Sequence, residues 1–121
     1  MHKLVILIEH PPNQDTFEGG WPEFLRLAES MPGLRREASS NVEQILYGNC
    51  PYMLIHELYF DSIEFTQAAM ASPQGRQAGK HLQAITQGRV TLFFADHKED
   101  DQENLMKYRK PDLDERENPE L

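Results

Sequence analysis

At 121 residues the chain is one ordinary domain, long enough for a single core. Its formal charge of −8 supplies no basic face for phosphate and so argues against a nucleic-acid partner; Arg35 and Arg36 form the only adjacent basic pair before the tail and read as a solvated loop. The lone cysteine, Cys50, excludes an internal disulfide, and no stretch approaches the ~20 apolar residues of a membrane span.

In chain order, Lys3–Glu9 (KLVILIE) reads as a strand stopped by Pro11-Pro12. Its apolar run, Leu4–Ile8, is shorter than the ~7–15 residues of a signal-peptide core. A mature protein of a reducing cytoplasm is expected. Asp15 with Glu18 predicts a capping box, and Phe17, Trp21, Phe24, Leu25 and Ala28 make one apolar stripe at helical spacing. Pro22 predicts a kink or a fresh helix start. Met31-Pro32-Gly33 is a turn. Glu37–Leu46 is the least apolar strand and suits a sheet edge; Gly48–Pro51 is the next turn, and Tyr52–Phe60 (YMLIHELYF) a third strand.

Asp61 with Glu64 predicts a second cap, followed by an apolar face that includes Ile63, Phe65, Ala68 and Ala69. Ser72-Pro73 restarts the helix, with serine as N-cap and proline at the first helical position. Arg89–Asp96 (RVTLFFAD) is the last strand. The order βαββαβ is a ferredoxin-like α+β sandwich. The domain spans residues 1–96. Residues 97–121 form an acidic tail with nine acidic and five basic side chains, whose one apolar cluster is Leu105, Met106 and Tyr108.

In a βαββαβ monomer both helices cover one sheet face and water meets the other, so the strands should alternate apolar and polar. Here Leu4–Ile8, Met53–Ile55 and Leu92–Ala95 are unbroken, which makes both faces apolar. Each buried Val, Leu, Ile or Phe contributes about 1.5–3 kcal/mol. An uncovered second face would forgo on the order of 10 kcal/mol, and a second copy of the chain is the simplest cover. A homodimer is therefore expected, with the sheets facing each other. Cover by the chain's own tail is the alternative, opposed by the tail's few apolar residues.

Four stretches carry a resemblance: KLVILIEHPPNQDTFEGGW, MPGLRR, LYFDSIEFTQAAMASPQGRQAG and GRVTLFFAD. Together they resemble the EthD family over about residues 3–96, most specifically in the Phe-Asp-Ser-x-Glu start and the Ser-Pro-x-Gly helix break. The resemblance implies a dimeric α/β barrel built from two four-stranded sheets, with a pocket in each subunit between sheet and helices. Proteins of the family are associated with degradation of ethyl tert-butyl ether. Their wider superfamily includes cofactor-independent monooxygenases, isomerases, polyketide cyclases and haem enzymes. One departure stands out: many members carry a histidine four residues after the helix tryptophan, and here that position is Leu25.

Among candidate site residues, His56 sits mid-strand in phase with Leu54, Leu58 and Phe60, which places it toward the helices. It is expected to line a pocket with Trp21, Phe24 and Phe65, where an imidazole can move protons near neutral pH; the competing reading is a core histidine satisfied by a hydrogen bond. Glu57 and Tyr59 take the opposite phase, toward the barrel, where a carboxylate paired with a base and a packed tyrosine are expected. His10 and Cys50 read as loop residues, and His97, in DHKEDD, as solvated charge. Gly75 and Gly79 permit close helix contact. The chain lacks a P-loop, a dinucleotide fingerprint, HExxH, a nucleophile elbow and CxxC, so no metal and no cofactor are expected. Two readings stay open: a binder or enzyme of small apolar, aromatic or polyketide-like compounds, and a non-catalytic dimeric module with an acidic interaction arm.

Overall fold

The computed structural model describes residues 1–101. Four strands and three helices follow one another as β1 (His2–Glu9), α1 (Gln14–Glu29), β2 (Arg36–Asn41), β3 (Tyr52–Phe60), α2 (Ile63–Ala71), α3 (Pro73–Thr86) and β4 (Val90–Asp96). The strands form one antiparallel sheet in the order β2-β3-β1-β4. This is the expected ferredoxin-like arrangement, with its second helix broken in two at Ser72.

The register divides the sheet into two faces. Leu4, Ile6 and Ile8 stand beside Leu58, His56 and Leu54 of β3, and beneath α1 and α3 they make the core with Phe17, Phe24, Ala28, Leu82 and Ile85. Lys3, Val5 and Leu7 take the opposite phase and stand beside Tyr59, Glu57 and Ile55. Among the described residues no helix covers that second face, and both faces carry apolar side chains, as the unbroken strand runs require.

Local chemistry departs from expectation at both first caps. Asn13, not Asp15, caps α1: its Oδ1 accepts from the Thr16 N–H at 3.0 Å, two residues earlier than the capping box predicts. Ser62, not Asp61, caps α2 through the Phe65 N–H at 3.2 Å, which frees Asp61 to pair with Arg35 at 2.9 Å. Ser72 caps α3 as expected, accepting from the Gly75 N–H at 3.0 Å with Pro73 next in the chain. Pro22 lies within one helix that continues through it. Its exposed position limits the loss to a single solvent-side hydrogen bond. Gly20 has a packing role, since a Cβ there would run into the Ile85 side chain where α1 meets α3.

β2 is shorter than the predicted Glu37–Leu46. The ladder ends at Asn41 with one further bond, Val42 N–H to Met53 C=O at 2.9 Å. Beyond it β3 has no strand left to pair, because Pro51 has no N–H and Gly48 turns the chain at φ +86°. The apolar residues Ile45, Leu46 and Tyr47 therefore lie in an exposed loop instead of a sheet.

Residues 97–99 turn back over one corner of the uncovered face. The His97 ring stands edge-on to Tyr59 at 4.8 Å, Arg36 lies over the same ring at 4.1 Å, and Glu99 meets both His97 and Arg36. Leu105, Met106 and Tyr108 lie outside the described residues.

Candidate functional site

The most unusual side chain in the core is His56. Strand alternation points it at the helices, where Trp21 and Phe24 close over it edge-on with ring centroids at 5.2 and 6.0 Å. Only 2 % of it is exposed. Trp21 also stacks on Phe24 at 5.0 Å, so α1 lays a continuous aromatic lid on the imidazole.

Both ring nitrogens find partners on the neighbouring edge strand. Ser39, directly opposite His56 in register, places its Oγ 2.8 Å from Nδ1. Glu37, two residues earlier and on the same face, places Oε2 2.7 Å from Nε2. A carboxylate only accepts, so Nε2–H donates to Glu37, and Nδ1 accepts the Ser39 hydroxyl proton. Glu37 in turn accepts a hydrogen bond from the protonated form of Glu29 at the end of α1, and this bond and the charge of Glu37 raise the Glu29 carboxyl above its ordinary range. The chain Ser39–His56–Glu37–Glu29 thus runs from a buried imidazole to an exposed carboxyl.

The contact with Glu37 has the length of an ion pair, but burial decides the charge. Desolvation lowers the His56 pKa to about 4, against the opposing pull of the Glu29 and Glu57 carboxylates. At neutral pH His56 is an uncharged imidazole. In that state it can accept a proton at Nδ1 if Ser39 turns away, and it can pass one from Nε2 to Glu37.

An apolar cavity of about 10 Å³ lies between sheet and helices on the far side of Phe24. Met31, Met70, Leu82 and Leu92 are among its walls. It holds little more than one water-sized sphere. Phe24 lines it, and Trp21 and His56 pack against Phe24 from behind. Phe65 stands apart, exposed on α2 with its ring against Gly33. Trp21, Phe24 and His56 are therefore one cluster, and Phe65 is not part of it.

On the opposite face Glu57 is paired within its own chain, at 2.6 Å from Lys3. Burial works against the Lys3 charge, but the hydrogen bond and charge of Glu57 outweigh it and raise the Lys3 pKa. His10 and Cys50 are exposed. Among the described residues no group of three His, Cys, Asp or Glu side chains could hold a metal ion, and no helix is long and apolar enough to cross a membrane.

Sequence reasoning missed Glu37, Ser39 and Glu29. The signal was available in part: on the edge strand Glu37 and Ser39 share a phase, and that phase is the one facing His56 once the strands are in register.

With this geometry, the chain is 30% identical over 99 residues to an uncharacterised 11.0 kDa protein from the thcB–thcC intergenic region of Rhodococcus erythropolis, covering 79% of this chain and 94% of that one. It superposes on an ethyl tert-butyl ether degradation (EthD) family protein from Bacillus halodurans with a TM-score of 0.73 and 26% identity, covering 81% of this chain and 99% of that one. The chain belongs to the EthD family. No family model matches it. Two more distant likenesses show the shared fold. One is a dimeric ferredoxin-like protein of unknown function from Thermobifida fusca, with a TM-score of 0.61, 15% identity and coverage of 79% and 90%. The other is SnoaB, a cofactor-independent oxygenase from Streptomyces nogalater, with a TM-score of 0.59, 11% identity and coverage of 82% and 93%. The core histidine of this EthD protein lies in β3, while Leu25 occupies the α1 position where the resemblance leads one to look for one.

Proposed function

We propose that this EthD protein is a homodimer that binds or converts a small apolar organic compound, aromatic or polyketide-like, between its sheet and its helices. The observation that carries the reading is the neutral, doubly hydrogen-bonded His56 under Trp21, joined to surface carboxyls on one side and packed against Phe24, which lines an apolar cavity together with Ile6 and Leu58. Such an imidazole is equipped for proton transfer in a water-poor site, without a metal or cofactor. The wall residues Met31 and Met70 are unbranched and adaptable, so the cavity can widen around a ligand. A dimer is supported by the uncovered apolar face and by the dimeric ferredoxin-like proteins that share the fold. A protein that shares the fold is a cofactor-independent oxygenase, which is in keeping with chemistry without a cofactor on such a scaffold.

Cavity size favours a second reading. Ligand pockets are usually some hundreds of cubic ångströms, and this cavity is far smaller. A filled core is what a non-catalytic dimeric module needs.

Trp21 is the chain's single tryptophan, so its indole N–H gives one NMR signal beside His56. Titration with 1-naphthol and anthrone is expected to shift that signal saturably, and His56→Ala is expected to weaken binding. A signal that stays fixed with every probe, in a protein that remains dimeric, would replace the enzyme or binder by the module.

A further inference from the structure

Between β2 and β3 the chain leaves the sheet in the loop 42–51, whose tip is Ile45-Leu46-Tyr47. These side chains are 52 %, 87 % and 97 % exposed, although the backbone at the loop's base is fixed by the bond from Val42 to Met53. Three consecutive large apolar residues held in water call for a partner surface. A matching surface exists at the opposite edge. Leu92 and Phe94 of β4 point to the helix side, in register with Ile6 and Leu4, yet both are exposed. Leu92 is also a wall of the apolar cavity. The loop's tip does not bury itself on this strip within its own chain, since both remain exposed.

Two copies joined through their uncovered faces settle the choice of occupant. This step rests on the dimer proposed above. A two-fold arrangement of four-stranded sheets brings edges together in one of two ways. If like edges meet, each loop lies beside the partner's β2, whose sequence REASSN offers no large apolar side chain to cover. If β2 meets the partner's β4, each loop lies beside Leu92 and Phe94. Apolar matching selects the second arrangement.

We propose that the loop 42–51 is an arm that crosses the dimer seam and seats Ile45, Leu46 and Tyr47 on the β4 edge of a second copy, over Leu92 and Phe94. The arm then closes the mouth of the partner's cavity, and each ligand site is completed by the other chain.

The test measures dimer dissociation by sedimentation velocity on the full chain. Leu46 is exposed, so Leu46→Glu leaves the fold intact by circular dichroism. It is expected to weaken the dimer at least tenfold, and adding Leu92→Lys is expected to recover most of the loss, because the new charges meet across the seam. A Leu46→Glu dimer as tight as the parent overturns the arm. Weakening without rescue by Leu92→Lys overturns its seat on β4. Retention of the parent on phosphatidylcholine vesicles, abolished by Leu46→Glu with the dimer unchanged, assigns the tip to a membrane surface and also overturns the arm. A parent that is monomeric removes the dimer itself, and the arm with it, whereas the first three outcomes leave the dimer standing.

Discussion

Two faces of one sheet, built from alternate residues of the same strands, handle their polar groups in opposite ways. On the helix face the imidazole of His56 is sealed by Trp21 and Phe24 and loses its charge; on the uncovered face Glu57, the next residue along β3, keeps a 2.6 Å ion pair with Lys3. Over β1 and β3 the helix face is complete within one chain, since Ile8, Leu58 and Phe60 have no exposed surface at all; at the β4 edge Leu92 and Phe94 stay exposed. On the uncovered face Val5 is buried among its neighbours and Tyr59 beneath His97 and Arg36, while Phe93 stays exposed. What differs is the covering layer: helices deliver folding stability, whereas a second copy would deliver association. Substitutions on the two faces should therefore fail in different assays.

The largest effect is expected on the helix face. Phe60→Ala removes a fully buried ring from the end of β3 and should cost about 3–5 kcal/mol of folding stability, read by chemical denaturation. Phe93→Ala, an equal truncation on the uncovered face, should cost less than about 1 kcal/mol at concentrations where the chain is monomeric. Equal losses at the two positions would mean that the second face is already covered within one chain.

Next comes a charge on the uncovered face. Phe93 stands beside Val5, midway along the edge strand β4, and Phe93→Glu would set a carboxylate on that face in each copy. The dimer should weaken about 100-fold, equivalent to about 2.7 kcal/mol, with unchanged circular dichroism. A dimer that tolerates this glutamate would have to assemble through another surface.

How much of this contrast was legible beforehand depends on whether a feature lives in one element or between several. Strand phase is local, so the opposed directions of His56 and Glu57, the apolar second face and the Ser72-Pro73 restart could all be read from neighbouring residues. Caps are local too, but Asn13 and Asp15 compete for one helix start and Ser62 and Asp61 for another. Which residue wins depends on where the preceding loop lands, and the Asp61–Arg35 pair shows the loser employed elsewhere. The end of β2 was not local: Ile45, Leu46 and Tyr47 look like strand residues, and only the limit of β3 strips them of a partner. Phe65 was expected on one apolar stripe with Ile63, Ala68 and Ala69, but α2 turns Thr66 and Ala69 inward, which leaves the Phe65 ring at the surface against Gly33. The hydrogen-bonded chain Ser39–His56–Glu37–Glu29 draws on three elements, and only the strand register brings them together.

The pH dependence of folding sharpens the contrast at His56 itself. Its folded pKa of about 4 lies below the ordinary value of 6.5, so between the two the unfolded chain holds a proton that the folded chain does not. Stability from this group is therefore fully present above about pH 6.5 and is lost as pH falls toward 4. Between pH 7.5 and 5.0 the loss should be about 2 kcal/mol. His56→Leu should flatten that interval, leaving the carboxyl titrations below it. A wild-type stability that rises as pH falls from 7.5 to 5.0 would mean that Glu37 holds the imidazole as a cation, and a level one that folding leaves its pKa unshifted; either result overturns the uncharged imidazole.

The smallest effect separates the two ways of satisfying a polar group. Lys3→Met keeps the length and apolar stem of the side chain but leaves Glu57 without its cation on the uncovered face. In the monomer Glu57 can still turn to water, so the loss should be about 1 kcal/mol, shrinking in high salt. In the dimer the same carboxylate would face a second sheet with water excluded, and removal of its partner should cost more there than in the monomer. Dimer dissociation of Lys3→Met should accordingly rise by a larger factor than its folding stability falls. If the two losses are equal, Glu57 stays wet in both states, and the second copy leaves that end of the sheet open.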